Sequence, residues 1–375
     1  MTSRQQRTAA LTGIDAALGW LLPRCAPVQV LALSLHEAHG RVAAENVPLS
    51  APFPARAVAQ TDGWAFRAGD IAGASAYAPV FLSAEPTWVE AGQPLPDGCD
   101  CVIDPGLVEG TGPAAQVIGE AVPGEGVRRT GEDVAVGQTI IAAGVAITSI
   151  DLMRTQRAGI AHIQARRPRV RIINIPDSEK RSETARLIAN LAAEAGANVA
   201  SVDAPARDAA AIAGMINDSC DLLILVGGTG AGRSDETVAA LAQRGEIFAH
   251  GIALKPGRAA ALGLVNEVPV VGLPGLPDQA LAVWWTLALP ALDRLSGRKP
   301  RATVTLPLAR KIASTVGMTE IVLLQQQDQS WMPLAVGDMT LDQLGQADAW
   351  LAVSGPSEGY ATGTPVAAYR LREDA

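Results

Sequence analysis

Short apolar runs alternate with amphipathic segments through the middle of the chain. The runs at 170–175, 198–202 and 222–226 have the length of strands and are separated by segments of helical periodicity. The predicted helices cover 182–195, ending at Gly196, then 208–216, 235–244 and 277–295, and further predicted strands cover 246–250, 260–264 and 268–273. Strands that alternate with helices form a parallel sheet covered on both faces, so the pattern predicts a doubly wound α/β domain.

The regions before and after this α/β segment have other sequence patterns. Residues 8–22 carry a helical pattern that ends at Pro23, and 29–45 carry a second one that begins near Ser34 and Glu37. Residues 146–164 are predicted to form a helix capped by Thr148 or Ser149 ahead of Asp151. Between them, residues 48–145 are rich in proline and glycine and indicate a mostly β module. Its clearest predicted strands are 78–82, 101–103 and 115–118. After a predicted linker at 296–300, residues 301–375 alternate apolar and polar positions, which predicts a small all-β domain.

The composition excludes several classes of protein. The 375 residues are 48% hydrophobic and 18% charged, with a net charge of -8, which argues against disorder and against a nucleic-acid partner. No apolar run reaches membrane-spanning length, so no membrane partner is expected. The cysteines lack the spacing of a zinc site and are predicted to be small buried residues, which favours a cytoplasmic protein.

A glycine-rich loop, GGTGAGRSD at 227–235, follows the strand at 222–226. It is one residue from a phosphate-binding Walker loop, with Arg233 where lysine is required. Arginine is not an equivalent of that lysine, and no strand ending in an aspartate for Mg²⁺ follows. Three readings stay open: a nucleotide loop, another anion cradle that uses the next helix's N-terminus, or a turn that needs positive φ.

Two further segments offer charged groups beside rigid turns. Lys255 and Arg258 bracket Pro256-Gly257, and GLPGLP at 272–277 ends a strand before the long helix. A rigid turn can position a ligand with little loss of conformational entropy. The sequence is equally compatible with Lys255 as a solvated surface charge and Pro256 as the end of a strand.

The β module contains candidate carboxylates. Asp62 lies in QTDGWA, and 128–133 places Arg128, Arg129, Glu132 and Asp133 in one run. These carboxylates are candidates for Mg²⁺ binding, or they cap solvated turns.

Taken in order, these segments resemble the molybdopterin molybdenumtransferases, the MoeA family that includes the gephyrin E domain. TDGWA within 35–70 is similar to the family's MDGYA, and GQPLPDGCDCVI at 92–103 to its TGAxxPxGADxVV. Residues 128–133 resemble its RxGED element and 227–235 its SGGxSxGxxD loop, while KPG at 255–257 and GLPGLP at 272–277 resemble KPGKP and GLPGNP.

The resemblance implies a four-domain homodimer. We assign residues 1–50 and 145–167 to an elongated N-terminal domain of helices and linkers and 51–144 to the mostly β module. Residues 168–297 form the predicted α/β molybdopterin-binding domain, and 301–375 the predicted C-terminal small β-barrel domain.

The resemblance also implies a reaction. Family members take adenylylated molybdopterin and molybdate, release AMP and insert molybdenum into the dithiolene. On this reading Asp62, Asp133, Asp235 and Lys255 are catalytic, and the three aspartates bind Mg²⁺. An upstream adenylyltransferase and a client molybdoenzyme are further implied partners. The residues implied in binding the pterin and its phosphate are Gly227, Gly228, Gly230, Gly232, Ser234, Arg258, Arg129, Pro274, Gly275 and Pro277.

This sequence departs from the family at several of these positions. At the first α/β strand Asp177 keeps the aspartate of TGDEL, Ser178 replaces the glutamate, and the loop at 176–185 is shorter, with Ala185 near the expected asparagine. The other replacements are Ala91 for Thr, Val226 and Gly230 for Ser, Arg258 for Lys and Leu276 for Asn. Two hypotheses follow: an active transferase with a modified site, or a paralogue that binds molybdopterin or finished cofactor as the carrier or partner of a molybdoenzyme. ATP binding would instead favour a phosphate-loop enzyme.

Overall fold

The computed structural model describes residues 10–49, 51–110, 115–177, 179 and 181–371. The chain divides into two compact units. The larger unit contains Met1–Glu45, Gly144–Ile147 and Gln164–Ala375, and the smaller unit contains Asn46–Ala143 and Thr148–Ile163. The division into four domains stays a prediction.

The N-terminal part of the larger unit contains one of the two helices predicted there. Its elements are α1 (Ile14–Leu21), β1 (Val30–Ser34), α2 (Leu35–Ala38) and β2 (Val42–Ala43). Helix α1 ends before a 3₁₀ turn that contains Pro23. The single helix predicted over 29–45 is wrong, because residues 30–34 alternate partly buried and exposed positions and pair with a later strand. Only one turn of helix survives at α2, where Ser34 and Glu37 form a capping box.

The smaller unit is mostly β, as predicted. Its strands are β3 (Val47–Pro48), β4 (Val58–Ala59), β5 (Gly63–Phe66), β6 (Ser75–Phe81), β7 (Thr87–Val89), β8 (Cys101–Ile103), β9 (Val108–Glu109), β10 (Gln116–Gly119), β11 (Val127–Arg128) and β12 (Thr139–Ile141). They form three-stranded sheets in the orders β7-β5-β8 and β6-β10-β9, and the pairs β4-β11 and β3-β12. Phe66, Ile71, Cys101 and Val117 lie in its core.

Helix α3 (Ser149–Arg157) completes the smaller unit. Thr148 Oγ1 accepts the Asp151 N–H at 3.2 Å, and Asp151 Oδ2 accepts the Thr148 N–H at 3.0 Å. This reciprocal capping box confirms Thr148 as the N-cap.

The larger unit continues as an α/β fold. Its elements are β13 (His162–Arg166), whose first residues belong to the smaller unit, β14 (Arg169–Asn174), α4 (Glu183–Glu194), β15 (Asn198–Asp203), α5 (Ala209–Met215), β16 (Leu222–Val226), α6 (Thr237–Arg244), β17 (Glu246–His250), β18 (Leu254–Lys255), β19 (Ala261–Val265), β20 (Val268–Leu273), α7 (Pro277–Val283) and α8 (Leu289–Ser296). The central sheet has the order β15-β14-β16-β20-β19-β17, and β13 lies between β1 and β2.

The central sheet is mixed, which corrects the prediction of a parallel sheet. Strands β15, β14, β16 and β20 run parallel. Strand β19 is antiparallel to both of its neighbours, β20 and β17, so β17 again has the direction of the parallel strands. The reversal occurs because β19 and β20 are joined by a tight turn at Asn266 and Glu267, both with positive φ, and not by a helix. Every residue of β16 is buried, as expected of a strand covered on both faces.

The long helix predicted over 277–295 is interrupted. A π turn, Trp284–Ala288, separates α7 from α8, and the Leu289 N–H donates to the Trp284 carbonyl. Pro290 follows directly and has no N–H to donate to an i−4 carbonyl, so a wider turn ahead of it accommodates the defect in the hydrogen-bond ladder.

The C-terminal region is mostly β and has one short helix. Its elements are β21 (Val304–Pro307), β22 (Ile312–Ala313), β23 (Thr319–Gln327), β24 (Ser330–Val336), α9 (Leu341–Gln346), β25 (Ala349–Val353), β26 (Gly359–Tyr360) and β27 (Pro365–Arg370). The main sheet has the order β18-β23-β25-β27-β21, with β24 on β23, and β22 pairs with β26. Strand β18 therefore joins the C-terminal sheet to the α/β part of the same unit. The closed barrel stays a prediction.

Candidate functional site

The carboxyl ends of β14, β16 and β20 bring three of the motifs together. These strands are adjacent and parallel, so the loops that follow them lie at one edge of the sheet. The Gly227 N–H donates to the Leu273 carbonyl at 2.9 Å, and Thr184 Oγ1 donates to the Gly275 carbonyl at 2.8 Å. The glycine loop, the turn at 272–277 and the start of α4 are thus held side by side. Thr184 was not among the residues selected from the sequence.

Glycine is required where the loop leaves β16. Gly227 and Gly228 have φ of 97° and 64°, and a Cβ on Gly227 would lie 2.8 Å from the Ile175 carbonyl oxygen. Thr237, the first residue of α6, closes the loop: its hydroxyl donates to the Gly227 carbonyl at 2.7 Å, and its N–H donates to the Gly228 carbonyl at 3.1 Å. Helix α6 therefore begins at Thr237 and not at the predicted residue 235.

Thr229 lies in the interior of the loop. It is 1% exposed, and within the described part of the chain its hydroxyl has no hydrogen-bond partner. Its carbonyl lies 2.8 Å from His250 Nε2, which donates in the tautomer protonated at Nε2. A buried hydroxyl without a partner is costly, and a bound ligand atom would satisfy it.

Asp235 is engaged within the loop. Its Oδ1 pairs with Arg207 Nη2 at 2.8 Å, and its Oδ2 accepts the Gly232 N–H at 3.1 Å. Arg207 also donates to the Ser234 carbonyl through Nε, at 3.3 Å. The sequence did not suggest Arg207, which lies 28 residues before Asp235.

Lys255 also has partners. At the end of β18 its ammonium lies 3.1 Å from Asp338 Oδ2 and 3.7 Å from Glu320 Oε1. The hydrogen bond with Asp338 raises the pKa of Lys255 above its ordinary value. Glu320 is buried and also accepts the Thr315 N–H at 2.8 Å. Arg258 is exposed. An anion that binds Lys255 must compete with two carboxylates from the C-terminal region.

Asp177 organises the loop that follows β14. Its Oδ1 accepts the N–H groups of Glu179 and Arg181, and its Oδ2 lies 2.6 Å from Arg181 Nε. These bonds, first that from the Arg181 N–H, lower the pKa of Asp177. Ser178 lies outside the described residues. Ala185 is buried inside α4, where no asparagine amide could be presented.

The smaller unit contains an open groove of about 970 Å³. Arg128 pairs with Asp133 at 3.1 Å on its wall, and the Arg157 guanidinium lies 6.0 Å from the centre of the Phe53 ring. Its lining residues are Phe53, Pro54, Val58, Ala59, Gln60, Thr61, Gly92, Arg128, Asp133, Val134, Ile150, Met153, Arg154 and Arg157. The groove offers guanidinium groups beside an apolar surface.

Helix α3 supplies much of this lining, which the sequence analysis missed. Ile150 and Met153 are 67% and 56% exposed although apolar, and Arg154 and Arg157 lie beside them at helical spacing. The available signal was the i, i+3 pair of arginines on a helix that was already predicted.

Asp62 and Arg129 are not among the residues that line this groove. Asp62 Oδ1 accepts the Ala91 N–H at 2.8 Å, and its neighbour Thr61 lines the groove. Arg129 instead lines a separate pocket of about 490 Å³, and its guanidinium donates to the Pro123 carbonyl at 3.4 Å. Arg128, not Arg129, shares the groove with Asp133.

The implied magnesium does not fit these carboxylates as they are arranged. Asp133 pairs with Arg128 and Asp235 with Arg207, so these two carboxylates already have cationic partners, and Asp62 accepts the Ala91 N–H. Among the described residues no cluster of three or more His, Cys, Asp or Glu could hold a metal ion.

The four cysteines are free thiols: Cys25, Cys101 and Cys220 are buried, as predicted, whereas Cys99 is half-buried. Burial raises the pKa of Cys25 to about 12 and that of Cys101 to about 11. Such thiols do not form the thiolates that metals require. Within the described ranges, no helix is long and apolar enough to span a bilayer.

Two protein-family models match successive parts of the chain. The model for the "MoeA N-terminal region (domain I and II)" matches residues 9–159, and that for the "Probable molybdopterin binding domain" matches residues 168–294. The molybdopterin molybdenumtransferase of Haemophilus influenzae is 28% identical over 73% of this chain and 74% of its own length. That of Synechococcus elongatus is 25% identical over 94% of this chain and 98% of its own length.

The fold has a solved counterpart. The crystal structure of the molybdopterin biosynthesis moeA protein from Pyrococcus horikoshii OT3 matches with a TM-score of 0.67 and 22% identity, over 96% of this chain and all of that one. The two family models follow one another along most of the sequence, and the motifs at 62, 128–133, 227–235 and 272–277 lie within them. The chain therefore belongs to the MoeA family.

Proposed function

We propose that this protein acts in molybdenum cofactor biosynthesis: it inserts molybdenum from molybdate into adenylylated molybdopterin and releases AMP. The names of the Haemophilus and Synechococcus relatives, both molybdopterin molybdenumtransferases, support this proposal. The proposal includes a homodimer in the cytoplasm that receives its substrate from an adenylyltransferase and serves a client molybdoenzyme.

The groove of the smaller unit is the observation that carries the proposal. Arg128, Arg154 and Arg157 line it together with the ring of Phe53 and the apolar side chains of α3. Guanidinium groups bind phosphates through paired N–H donors and stack on planar rings, and apolar side chains pack against the faces of such rings. A ligand that combines phosphates with an aromatic ring system suits this lining, and adenylylated molybdopterin is such a ligand.

The edge of the α/β sheet offers a second binding surface, for the pterin and its phosphate. Gly227 and Gly228 keep the backbone open to close approach, and a Cβ on Gly275 would lie 3.5 Å from the Gly227 Cα. The orphaned hydroxyl of Thr229 gives a ligand atom a buried partner. Pro274, Pro277 and Ser234 border this surface in the proposal, and Arg258 supplies an exposed cation.

The chain's own groups account for the charge that the reaction handles. Cleavage of the phosphoanhydride puts new negative charge on two phosphates, and guanidinium groups stabilise it in place. Arg128 has this role in the proposal, with Asp133 holding its guanidinium in orientation at 3.1 Å. Lys255 contributes when an anion displaces Asp338, which is 86% exposed and so readily released.

AMP release by the purified protein tests the proposal. With adenylylated molybdopterin and molybdate supplied, we expect AMP release and reconstitution of an apo-molybdoenzyme. Arg128→Met and Lys255→Met should each lower the rate about tenfold or more, since a contact to a charged ligand contributes about 1.5–3 kcal/mol. Glu85→Gln removes an exposed carboxylate of the smaller unit and should leave the rate unchanged.

A second candidate is a paralogue that binds molybdopterin or the finished cofactor without turning it over. The pairing of Asp235 with Arg207 favours it, because that carboxylate is withdrawn from the metal role that the resemblance implies. Retained pterin with no AMP release would support this carrier and contradict the transferase.

A further inference from the structure

Arg207 links the loops after β14 and β16. It immediately precedes the N-cap of α5, and its side chain is 25% exposed. Nη1 donates to the Pro176 carbonyl at 2.8 Å, Nε to the Ser234 carbonyl at 3.3 Å, and Nη2 to Asp235 Oδ1 at 2.8 Å. All three nitrogens of the guanidinium are therefore used, on both loops.

Asp235 is enclosed from its other side by the glycine loop. Its Oδ2 accepts the Gly232 N–H, and a Cβ at Gly230 or Gly232 would lie 2.7 or 2.9 Å from that oxygen. The side chain of Asp235 is 19% exposed. The loop is thus folded closely around a carboxylate whose two oxygens are both engaged.

A divalent cation cannot share this carboxylate with Arg207. Mg²⁺ requires oxygen ligands at about 2.0–2.1 Å in near-octahedral geometry. Arg207 already occupies Oδ1, and a cation bound there would lie against the positive charge of its guanidinium. Metal binding at Oδ1 would require Arg207 to release Asp235.

We propose that Arg207 is the permanent counter-cation of Asp235. The guanidinium replaces a divalent cation at this carboxylate, so the glycine loop holds its anionic ligand without a metal ion at Asp235. Arg207 is a positioning residue: it fixes Pro176, Ser234 and Asp235 relative to one another and neutralises a carboxylate of the glycine loop that would otherwise repel a phosphate. This inference rests on the proposed function only for the identity of that phosphate.

Mn²⁺ binding to the purified full-length protein, followed by electron paramagnetic resonance of the free ion, tests the proposal. We expect Asp235→Asn to leave the Mn²⁺ affinity of the parent unchanged. Arg207→Met exposes the carboxylate and should add one Mn²⁺ per chain, and the double variant with Asp235→Asn should lose it again. Arg207→Lys keeps the charge and should add no site.

Arg233→Met is the matched control. It removes an exposed positive charge from the same loop but not from Asp235, so it should add no Mn²⁺ site. A gain in Arg233→Met equal to that in Arg207→Met would overturn the proposal, because general electrostatics would then explain both.

Two other results would overturn it: a parental Mn²⁺ site that Asp235→Asn abolishes, or a folded Arg207→Met that gains none. If Arg207→Met does not fold, the comparison of the parent with Asp235→Asn decides alone. The readout is metal binding and not turnover, so failure of the transferase proposal would leave this result unaffected.

Discussion

Two buried threonines, Thr229 in the glycine loop and Thr237 at the start of α6, differ in the hydrogen bonding of their hydroxyl groups. Thr229 and Thr237 are each 1% exposed, and both lie beside Gly227 and Gly228. The Thr237 hydroxyl donates to the Gly227 carbonyl, whereas no described residue pairs with that of Thr229. The same chemical group thus stabilises the loop at one position and is available to a ligand at the other.

Replacing each threonine by valine separates these roles. Thr237→Val should lower the free energy of unfolding by about 1–3 kcal/mol, because it leaves the buried Gly227 carbonyl without its donor. Thr229→Val should leave stability within about 0.5 kcal/mol of the parent or raise it, since the hydroxyl that it removes is unsatisfied. Urea unfolding of both variants measures the difference.

Equal destabilisation by the two substitutions would show that Thr229 has a partner in the free protein. In that case its hydroxyl could not be reserved for a ligand.

Among the secondary-structure elements, α3 connects local sequence to the groove most directly. The capping box consists of Thr148 and Asp151, which are three residues apart in the sequence, and Arg154 and Arg157 lie at helical spacing. The direction in which those arginines point depends on where the helix packs. The cap was therefore predictable and the lining of the groove was not.

Removing this cap should loosen the helix that lines the groove. Thr148→Ala should cost about 0.5–2 kcal/mol of local stability, and amide hydrogens of residues 151–157 should exchange faster. Hydrogen-exchange mass spectrometry of the full chain measures this effect.

Thr340→Ala is the control, since Thr340 forms an equivalent capping box with Gln343 at the start of α9 in the other unit. It should accelerate exchange in α9 and leave α3 unchanged. Unchanged exchange of α3 in Thr148→Ala would mean that packing alone holds the helix.

At the scale of the whole molecule, the N-terminal helix is part of the α/β core. Ala17 and Leu21 are fully buried in one cluster with Val170 and Ile172 of β14. The Thr12 N–H donates to the Gly251 carbonyl at 3.0 Å. Residues that begin the chain thus complete a domain whose sheet begins more than a hundred positions later.

Leu21→Ala should therefore destabilise the larger unit by about 2–5 kcal/mol, through the lost apolar contact and the cavity left behind. Leu341→Ala, which shortens a side chain that is 67% exposed in the same unit, should change stability by less than about 0.5 kcal/mol. The shift of the urea midpoint followed by circular dichroism measures both. A small effect of Leu21→Ala would mean that α1 packs loosely.

The sequence by itself determined the elements whose signals are local. The strands at 222–226, 246–250 and 268–273 were predicted with the bounds that the structure shows, because each is an apolar or β-rich run between turn residues. Membership of the family was also predictable from the sequence, because each of the family's motifs is a contiguous segment and the motifs occur in order. The glycines of the loop were readable for the same reason, as close backbone approach permits no other residue.

Tertiary structure decided what depends on residues far apart in the chain. Residues 30–34 became a strand through pairing with β13, and β19 runs antiparallel to both of its neighbours, β20 and β17. Arg207 reached Asp235, and Asp338 and Glu320 reached Lys255, only because folding brought distant loops together. A sequence pattern reports which groups are present. The charged partner of each side chain depends on contacts between residues far apart in the sequence. These contacts decide whether a carboxylate binds a metal ion or an arginine.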